Sequence, residues 1–539
     1  MDIFKLSLII ILSIGMPSAY AKVYKWVDEE GNVKFGDKPH PSQQKKFKVN
    51  KKFTPIVKQK ITKPILLKKK SDNNIPFSED IILSFRGLLD GNRFLDLNET
   101  LHAHQTAVEK DIHAEEDLFT AYTSFEIKDK SYESAFNAWV DATPDEYQPY
   151  LARARFYFRL GWEARGEKWA SETKNKQLKE MNEYFAKAIK DIAKALKIYK
   201  YSMIPYSLLI GIANTNVEDS DSELILKRAI EFNPATYYVR RQYIISLTPR
   251  WGGSYEKMKL FVIESMRYLD KNPKLKLLEG YIYLDLGKMQ KTINKYSVAE
   301  KYYDNALEFG LNHNILKERG VNSYKRENYN EALKYLDLAI QLYTEDAEYY
   351  YWRSRVYKKL EKYKESSSDI ERAFKLDPTD EYIQSHRKWL VWKFSRIGYS
   401  LNKNEKPVDA IEQYNAALVL DPNNASLYYR RSRALIKKND YDQAYIDLDR
   451  AIQLEPNDIN YYLLMDYILV RKKDWVQIIN YWGKFIEINP NSSRAYLERS
   501  GAYYHKGDIT ASLDDAKTAA DMGNSDAKNI YERYKHLSK

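Results

Sequence analysis

The 539-residue sequence contains no cysteine. Disulfides, thiolate metal sites, cysteine nucleophiles and a lipid-modified N-terminal cysteine are therefore excluded. After residue 21 no apolar run approaches the ~20 residues that a membrane-spanning helix needs. Nor is there a His-Glu-x-x-His, a Gly-x-Ser-x-Gly or a Gly-rich phosphate loop, each of which sets up a chemistry through residues at fixed spacing. No enzymatic activity, metal or cofactor is expected. Acidic residues are missing from one stretch, where residues 42–70 hold eleven lysines, from Lys45 to Lys70, and no Asp or Glu. That number equals the net charge of +11, so the remainder of the chain is electrically balanced.

What is present is a repeat. Pro422, Pro456 and Pro490, each followed by Asn, recur every 34 residues, the period of a two-helix repeat. In the repeat starting at Ala425, Ser432, Ala444 and Ala451 are small enough to let two helices cross closely, while Tyr428, Leu435, Tyr441 and Leu448 fill the space between them. Pro456 then ends the second helix, having no N–H to continue the ladder. The same frame fits repeats from His313, Ala347 and Ser493, and a degenerate one using Gly280, Tyr283, Ala299, Tyr303 and Ala306. Two irregularities stand out. Pro378 and Pro422 are 44 residues apart, which predicts a lengthened helix near residues 381–392; the repeat from Ile459 places Asp466, Ile478 and Phe485 at small-residue positions, which predicts a looser crossing.

This pattern resembles the tetratricopeptide repeat, over residues 274–524. The resemblance implies an all-α, helix-turn-helix solenoid of about six to seven repeats wound as a superhelix, closed by a C-terminal helix over residues 525–539. The first helix of each pair is then expected to line a concave face. The matching positions are Lys317, Lys325 and Arg326; Tyr351, Arg355, Lys358 and Lys359; Tyr399 and Lys403; Tyr429, Arg433 and Lys437; Tyr467 and Arg471; and Arg494 and Tyr504. Glu348 is the one acid at such a position. A basic groove faced with tyrosines suits an acidic or C-terminal-carboxylate peptide, because arginine gives charge-assisted bonds and aromatic rings give contact area. The plainer reading is that long basic side chains solvate an exposed face.

The N-terminus reads as an export signal. Lys5 opens a short apolar core over residues 6–14, and Ala19-Tyr20-Ala21 offers a small-x-small cleavage site, so cleavage between Ala21 and Lys22 and a periplasmic or secreted chain are expected. An uncleaved anchor is disfavoured by the shortness of the run. Residues 22–41 read as a β-hairpin, with alternating Val23-Tyr24-Lys25-Trp26-Val27, a turn at residues 28–32, and a returning Val33-Lys34-Phe35. This wording resembles a short bacterial envelope module, domain of unknown function four-one-two-four. Two strands alone are marginal, so Trp26 and Phe35 either dock on another element or form a binding face. Residues 42–76 form a lysine-rich linker that cannot bury a core; it either contacts an anionic envelope surface or is a solvated tether. Nucleic acid is not an expected partner.

Residues 77–268 show helical spacing without the clean 34-residue frame. Trp139, Ala152-Arg153-Ala154, Gly161 to Gly166 and Thr248 to Ser254 together resemble domain of unknown function four-zero-three-four, a helical region that precedes tetratricopeptide repeats. Its only dense set of possible ligands is His102, His104, Glu109, His113, Glu115 and Glu116. On a continuous helix His102 and Glu109 would be about 10 Å apart, too far to share an ion. The pair Gly252-Gly253 either presents N–H groups to an anion or makes a tight turn with Trp251 buried. The sequence thus points to an exported scaffold binding acidic protein or peptide partners, with a glycan or cell-wall polymer as the alternative ligand.

Overall fold

The computed structural model describes residues 81–166, 173–215 and 219–538, and the backbone of two short strands. The strands, β1 (Tyr24–Val27) and β2 (Val33–Gly36), pair antiparallel with Tyr24 opposite Gly36 and Val27 opposite Val33. The cleavage site at Ala21 and Lys22, and the lysine-rich linker, lie outside the described residues.

From residue 81 onward the described chain is all-helical. The first part holds α1 (Ile81–Asp90), α2 (Phe94–Lys110), α3 (Glu115–Thr123), α4 (Glu133–Ala142), α5 (Gln148–Arg165), α6 (Asn175–Ile198), α7 (Ile204–Ala213), α8 (Asp219–Phe232), α9 (Tyr237–Ser246) and α10 (Tyr255–Ser265). The repeats follow as pairs: α11 (Leu277–Thr292) with α12 (Tyr296–Leu307), α13 (His313–Lys325) with α14 (Tyr329–Leu342), α15 (Ala347–Lys359) with α16 (Tyr363–Leu376), and α17 (Glu381–Lys403) with α18 (Pro407–Leu420). Then come α19 (Ala425–Lys437) with α20 (Tyr441–Leu454), α21 (Ile459–Lys472) with α22 (Trp475–Ile488), α23 (Ser493–Lys506) with α24 (Ile509–Asp521), and α25 (Ser525–Tyr534).

Each repeat is punctuated by the same local chemistry. The side chains of Asn312, Asp346, Asp380, Asn424, Asp458 and Ser492 accept backbone N–H groups at the start of the first helix of their repeats, satisfying donors that the helix itself leaves open. Between the two helices one residue turns left-handed: Glu327, Glu361, Glu405, Asn439, Lys473 and Gly507 all have positive φ. Ser432, Ala444, Leu448 and Ala451 are fully buried at the crossing, as the spacing predicts. The ten extra residues between Pro378 and Pro422 go into α17, which is 23 residues long where α15 and α19 have 13.

The repeat from Ile459 departs as its residues require. Ile478 and Phe485 are buried where other repeats carry Ala or Ser, and the α21 and α22 backbones approach over less of their length than those of α19 and α20. Asp466 fills its small-residue position by accepting a 3.2 Å hydrogen bond from Trp482 Nε1.

The chain forms two compact bodies. Residues up to 361 together with 372–379 make the first; residues 362–371 and 380–539 make the second, so the division falls inside the repeat array. A single buried cluster in the first body runs from Phe85 to Ile315, joining the N-terminal helices to α11, α12 and α13 across residues 268–274. Polar contacts reinforce it. Ile82 N–H donates to Glu345 at 3.3 Å, and Arg86 Nη1 donates to the Leu376 carbonyl at 2.7 Å.

Candidate functional site

In the first body, α15 carries Tyr351, Arg355, Lys358 and Lys359. The Arg355 guanidinium stacks over Trp352 at 4.9 Å, Tyr324 at 5.2 Å and Tyr351 at 5.6 Å, and donates to the Tyr351 hydroxyl at 3.3 Å. Lys325 lies 6.0 Å from the Trp352 ring. Burial, and then the charges of Arg355 and Lys359, hold the Lys358 ammonium below its ordinary pKa. Cations are thus gathered on rings, and no ion pair joins Arg355 to an acid among the described residues. Such an arrangement is complementary to an anion whose other parts can lie on the aromatic surface.

The second body repeats the theme separately. Arg433 lies 5.8 Å over Tyr429, which packs 5.2 Å from Tyr461. Arg471 stacks 4.1 Å over Tyr467 and 5.7 Å from Tyr441. Tyr399, Tyr467 and Tyr504 are 52%, 40% and 47% exposed, more than packing needs, and Lys403 is exposed beside Tyr399's helix face.

Other predicted groove cations are occupied. Lys437 Nζ reaches Glu405 at 2.7 Å and the Asn402 carbonyl at 2.9 Å. Lys317, with most of its side chain covered, contacts Glu318 at 3.1 Å and Glu348 at 2.9 Å. Arg326 pairs with Glu300, and Arg494 with Glu498. Glu405 lies in a turn and Glu300 on a second helix, positions that a reading of first-helix faces leaves out, while Glu318, Glu348 and Glu498 lie on first helices.

A second recurring arginine was missed by sequence reasoning. The seventh residue of five repeats, Arg319, Arg353, Arg387, Arg431 and Arg499, clamps an acid on a neighbouring second helix. Arg431 holds the buried Asp447 with two bonds of 2.7 Å, and Arg499 holds Asp515 at 2.7 and 2.8 Å. The signal was available in two repeats, where Arg431 and Asp447, and Arg499 and Asp515, stand 16 residues apart at the same two places. These arginines brace helices.

The N-terminal ligand cluster is dispersed. The α2 helix ends at Lys110, and His113 sits in a separate short turn, so the shared face does not form. His104 is buried, and burial lowers its pKa. Glu115 is buried and accepts from Tyr237 N–H at 2.9 Å and from the Thr236 hydroxyl, capping the start of α9; burial pushes its carboxyl up to about 7. Among the described residues no three His, Asp or Glu side chains are grouped to hold a metal. The glycine pair is a turn: Gly252 N–H and Gly253 N–H donate to the carbonyls of Pro249 and Thr248 at 3.1 Å, leaving no donors for an anion. Trp251 is only half-buried, edge-on to Trp162 at 6.0 Å, because Arg165 shares the site with both rings.

Residues 347–380 and 401–466 match models described as Tetratricopeptide repeat. The chain carries tetratricopeptide repeats. Residues 10–55 match the Domain of unknown function (DUF4124), and residues 81–216 and 198–274 match the Domain of unknown function (DUF4034). The Hsp70-Hsp90 organizing protein of Triticum aestivum is 33% identical over 129 residues, 24% of this chain and 19% of that protein. DnaJ homolog subfamily C member 3 of Homo sapiens is 23% identical over 342 residues, 59% of this chain and 61% of that protein. The chain therefore spans less than two thirds of either relative. Among solved structures, the APC/C hetero-tetramer Cut9-Hcn1 is similar at 14% identity over 78% of this chain and 75% of that one, with a TM-score of 0.26. No described helix is long and apolar enough to cross a membrane.

Proposed function

We propose that this chain is an exported, non-catalytic scaffold whose first-helix faces hold acidic protein or peptide partners. The observation that carries the reading is Arg355 on Tyr324, Tyr351 and Trp352, a cation set on aromatic surface without an acid of its own. Arg433 on Tyr429 and Arg471 on Tyr467 offer the second body the same chemistry. The names of the relatives support an organising role: two are Hsp70-Hsp90 organizing proteins, from Triticum aestivum and Plasmodium falciparum. Cleavage between Ala21 and Lys22 would release the chain outside the cytoplasm. The lysines from Lys45 to Lys70 would then draw it toward an anionic envelope surface, with the N-terminal hairpin as the module nearest that surface.

The reading is tested by binding of a fluorescent Glu- and Asp-rich peptide to the full chain and to the variants Arg355→Glu, Arg433→Glu and Arg471→Glu. A lost charge-assisted bond is worth about 1.5–3 kcal/mol, so each reversal at a contacted site should weaken binding at least ~10-fold. Unchanged affinity in all three would remove the proposal. Retention of cell-wall polysaccharide by wild type and variants alike, with no peptide bound, would replace it with the glycan reading.

A further inference from the structure

Arg241 sits on α9, deep in the first body, yet part of its side chain remains uncovered. The phenols of Tyr237, Tyr238, Tyr281 and Tyr343 surround it, and its guanidinium lies 5.1 Å over the Tyr238 ring. Its Nε is covered and has no hydrogen-bond partner. No hydrogen bond or ion pair joins its terminal nitrogens to any described residue.

The cations nearby are matched. Lys274 pairs with Glu116 of α3 at 2.6 Å, and Lys317 with Glu318 and Glu348. His313 shares a 2.6 Å hydrogen bond between Nδ1 and the Tyr349 hydroxyl and stacks 4.8 Å from Tyr343; burial first, and then Arg241, bring its pKa down to about 4, so it is neutral. Like Arg241, His313, Lys317 and Tyr343 are mostly covered and keep a minor part of their surface exposed. The surroundings of Arg241 are therefore not sealed from solvent.

The covered Nε–H has no acceptor, and the terminal nitrogens have none among the described residues, so an anion here would use donors that the protein leaves open. We propose that Arg241 anchors a binding site for the carboxylate of a peptide, either an acidic side chain or a free C terminus. Two terminal N–H groups can take a carboxylate side by side, and the tyrosine rings bound the space around it. The choice of a peptide rests on the function proposed above; the presence of an oxyanion site does not.

The test uses the full chain with acetyl-Glu-Glu-Glu as free acid and as amide, acetyl-Gln-Gln-Gln as free acid, and inorganic phosphate, read by calorimetry and by thermal melting. The wild type should bind at least one peptide, and whichever of the three binds identifies side chain or C terminus as the source. Arg241→Gln should lose at least 10-fold in affinity while melting no lower than wild type, since an unmatched charge has been removed; Arg241→Lys should retain part of the affinity. Tripeptide affinity lost in Arg355→Glu and kept in Arg241→Gln would place the binding on the outer face and overturn the proposal for Arg241. Equal binding by wild type and Arg241→Gln overturns the proposal. So does a wild type that binds phosphate alone or nothing, or an Arg241→Gln variant that melts lower with no ligand response in wild type, which would make the arginine a packing element.

Discussion

Asp466 should cost the protein stability at neutral pH. It occupies a position on α21 where other repeats carry Ser or Gly, and it accepts from Trp482 Nε1 at 3.2 Å. Burial, with Glu498 nearby, raises its carboxyl from 3.8 to about 6, against the lowering effect of the Trp482 bond. A folded-state value above the unfolded one means that the protonated form fits the fold better. Stability from this group is therefore complete below about pH 4 and is lost as pH rises through 6. At about 1.4 kcal/mol per unit, the two-unit rise is worth about 3 kcal/mol, and partial solvent access reduces this to about 1–2 kcal/mol. Asp466→Asn keeps an acceptor for Trp482 and removes the charge. In urea unfolding of the full chain at pH 7.5 the variant should be more stable by about 1–2 kcal/mol, and the advantage should vanish at pH 4. Because repeat arrays need not unfold in one step, the transition that responds should be followed by tryptophan fluorescence. A variant less stable than wild type at pH 7.5, or a difference that does not change with pH, would refute the argument.

Other substitutions probe the repeat and its supports. A methyl at Gly287 would lie 2.4 Å from the fully buried Tyr303 ring, so Gly287→Ala should lower stability by about 1–3 kcal/mol in thermal melts. Gly501, mid-helix with open space around it, should respond oppositely, gaining about 0.5–1 kcal/mol as alanine. Lys473 ends α21 in the left-handed region at φ 54°, where Lys473→Gly should stabilise by up to about 1 kcal/mol in the same assay. Removing Arg431 strands the buried Asp447 carboxylate, so Arg431→Ala should cost about 3–5 kcal/mol and should be partly rescued by Asp447→Asn in a double-mutant cycle.

The parts of this fold legible in the sequence are those fixed by contacts within about one repeat. Small residues at crossings, prolines at helix ends and the ten-residue excess in α17 all act locally, so periodicity exposes them. The groove was legible as a set of first-helix positions, and its charge was not, because Glu405 lies in a left-handed turn and Glu300 on a second helix. The packing of the N-terminal helices on the repeats was not legible for a related reason: Ile82 to Glu345 and Glu116 to Lys274 are separated by 263 and 158 residues, and no local pattern records such pairings.

Those same distant contacts set the surroundings of Arg241. Glu115 caps the start of α9, and its neighbour Glu116 holds Lys274 just ahead of α11, so one turn of α3 fixes two helices by adjacent carboxylates. Arg241 lies about one turn into α9, and Tyr281, which interacts with it, about one turn into α11. With Glu116 committed to Lys274, and Glu115 to backbone and hydroxyl donors, α3 brings two acids to the neighbourhood of Arg241 and spends neither on it. Among the described residues no carboxylate of α3 pairs with the Arg241 guanidinium, which leaves its donors open to the peptide carboxylate proposed above.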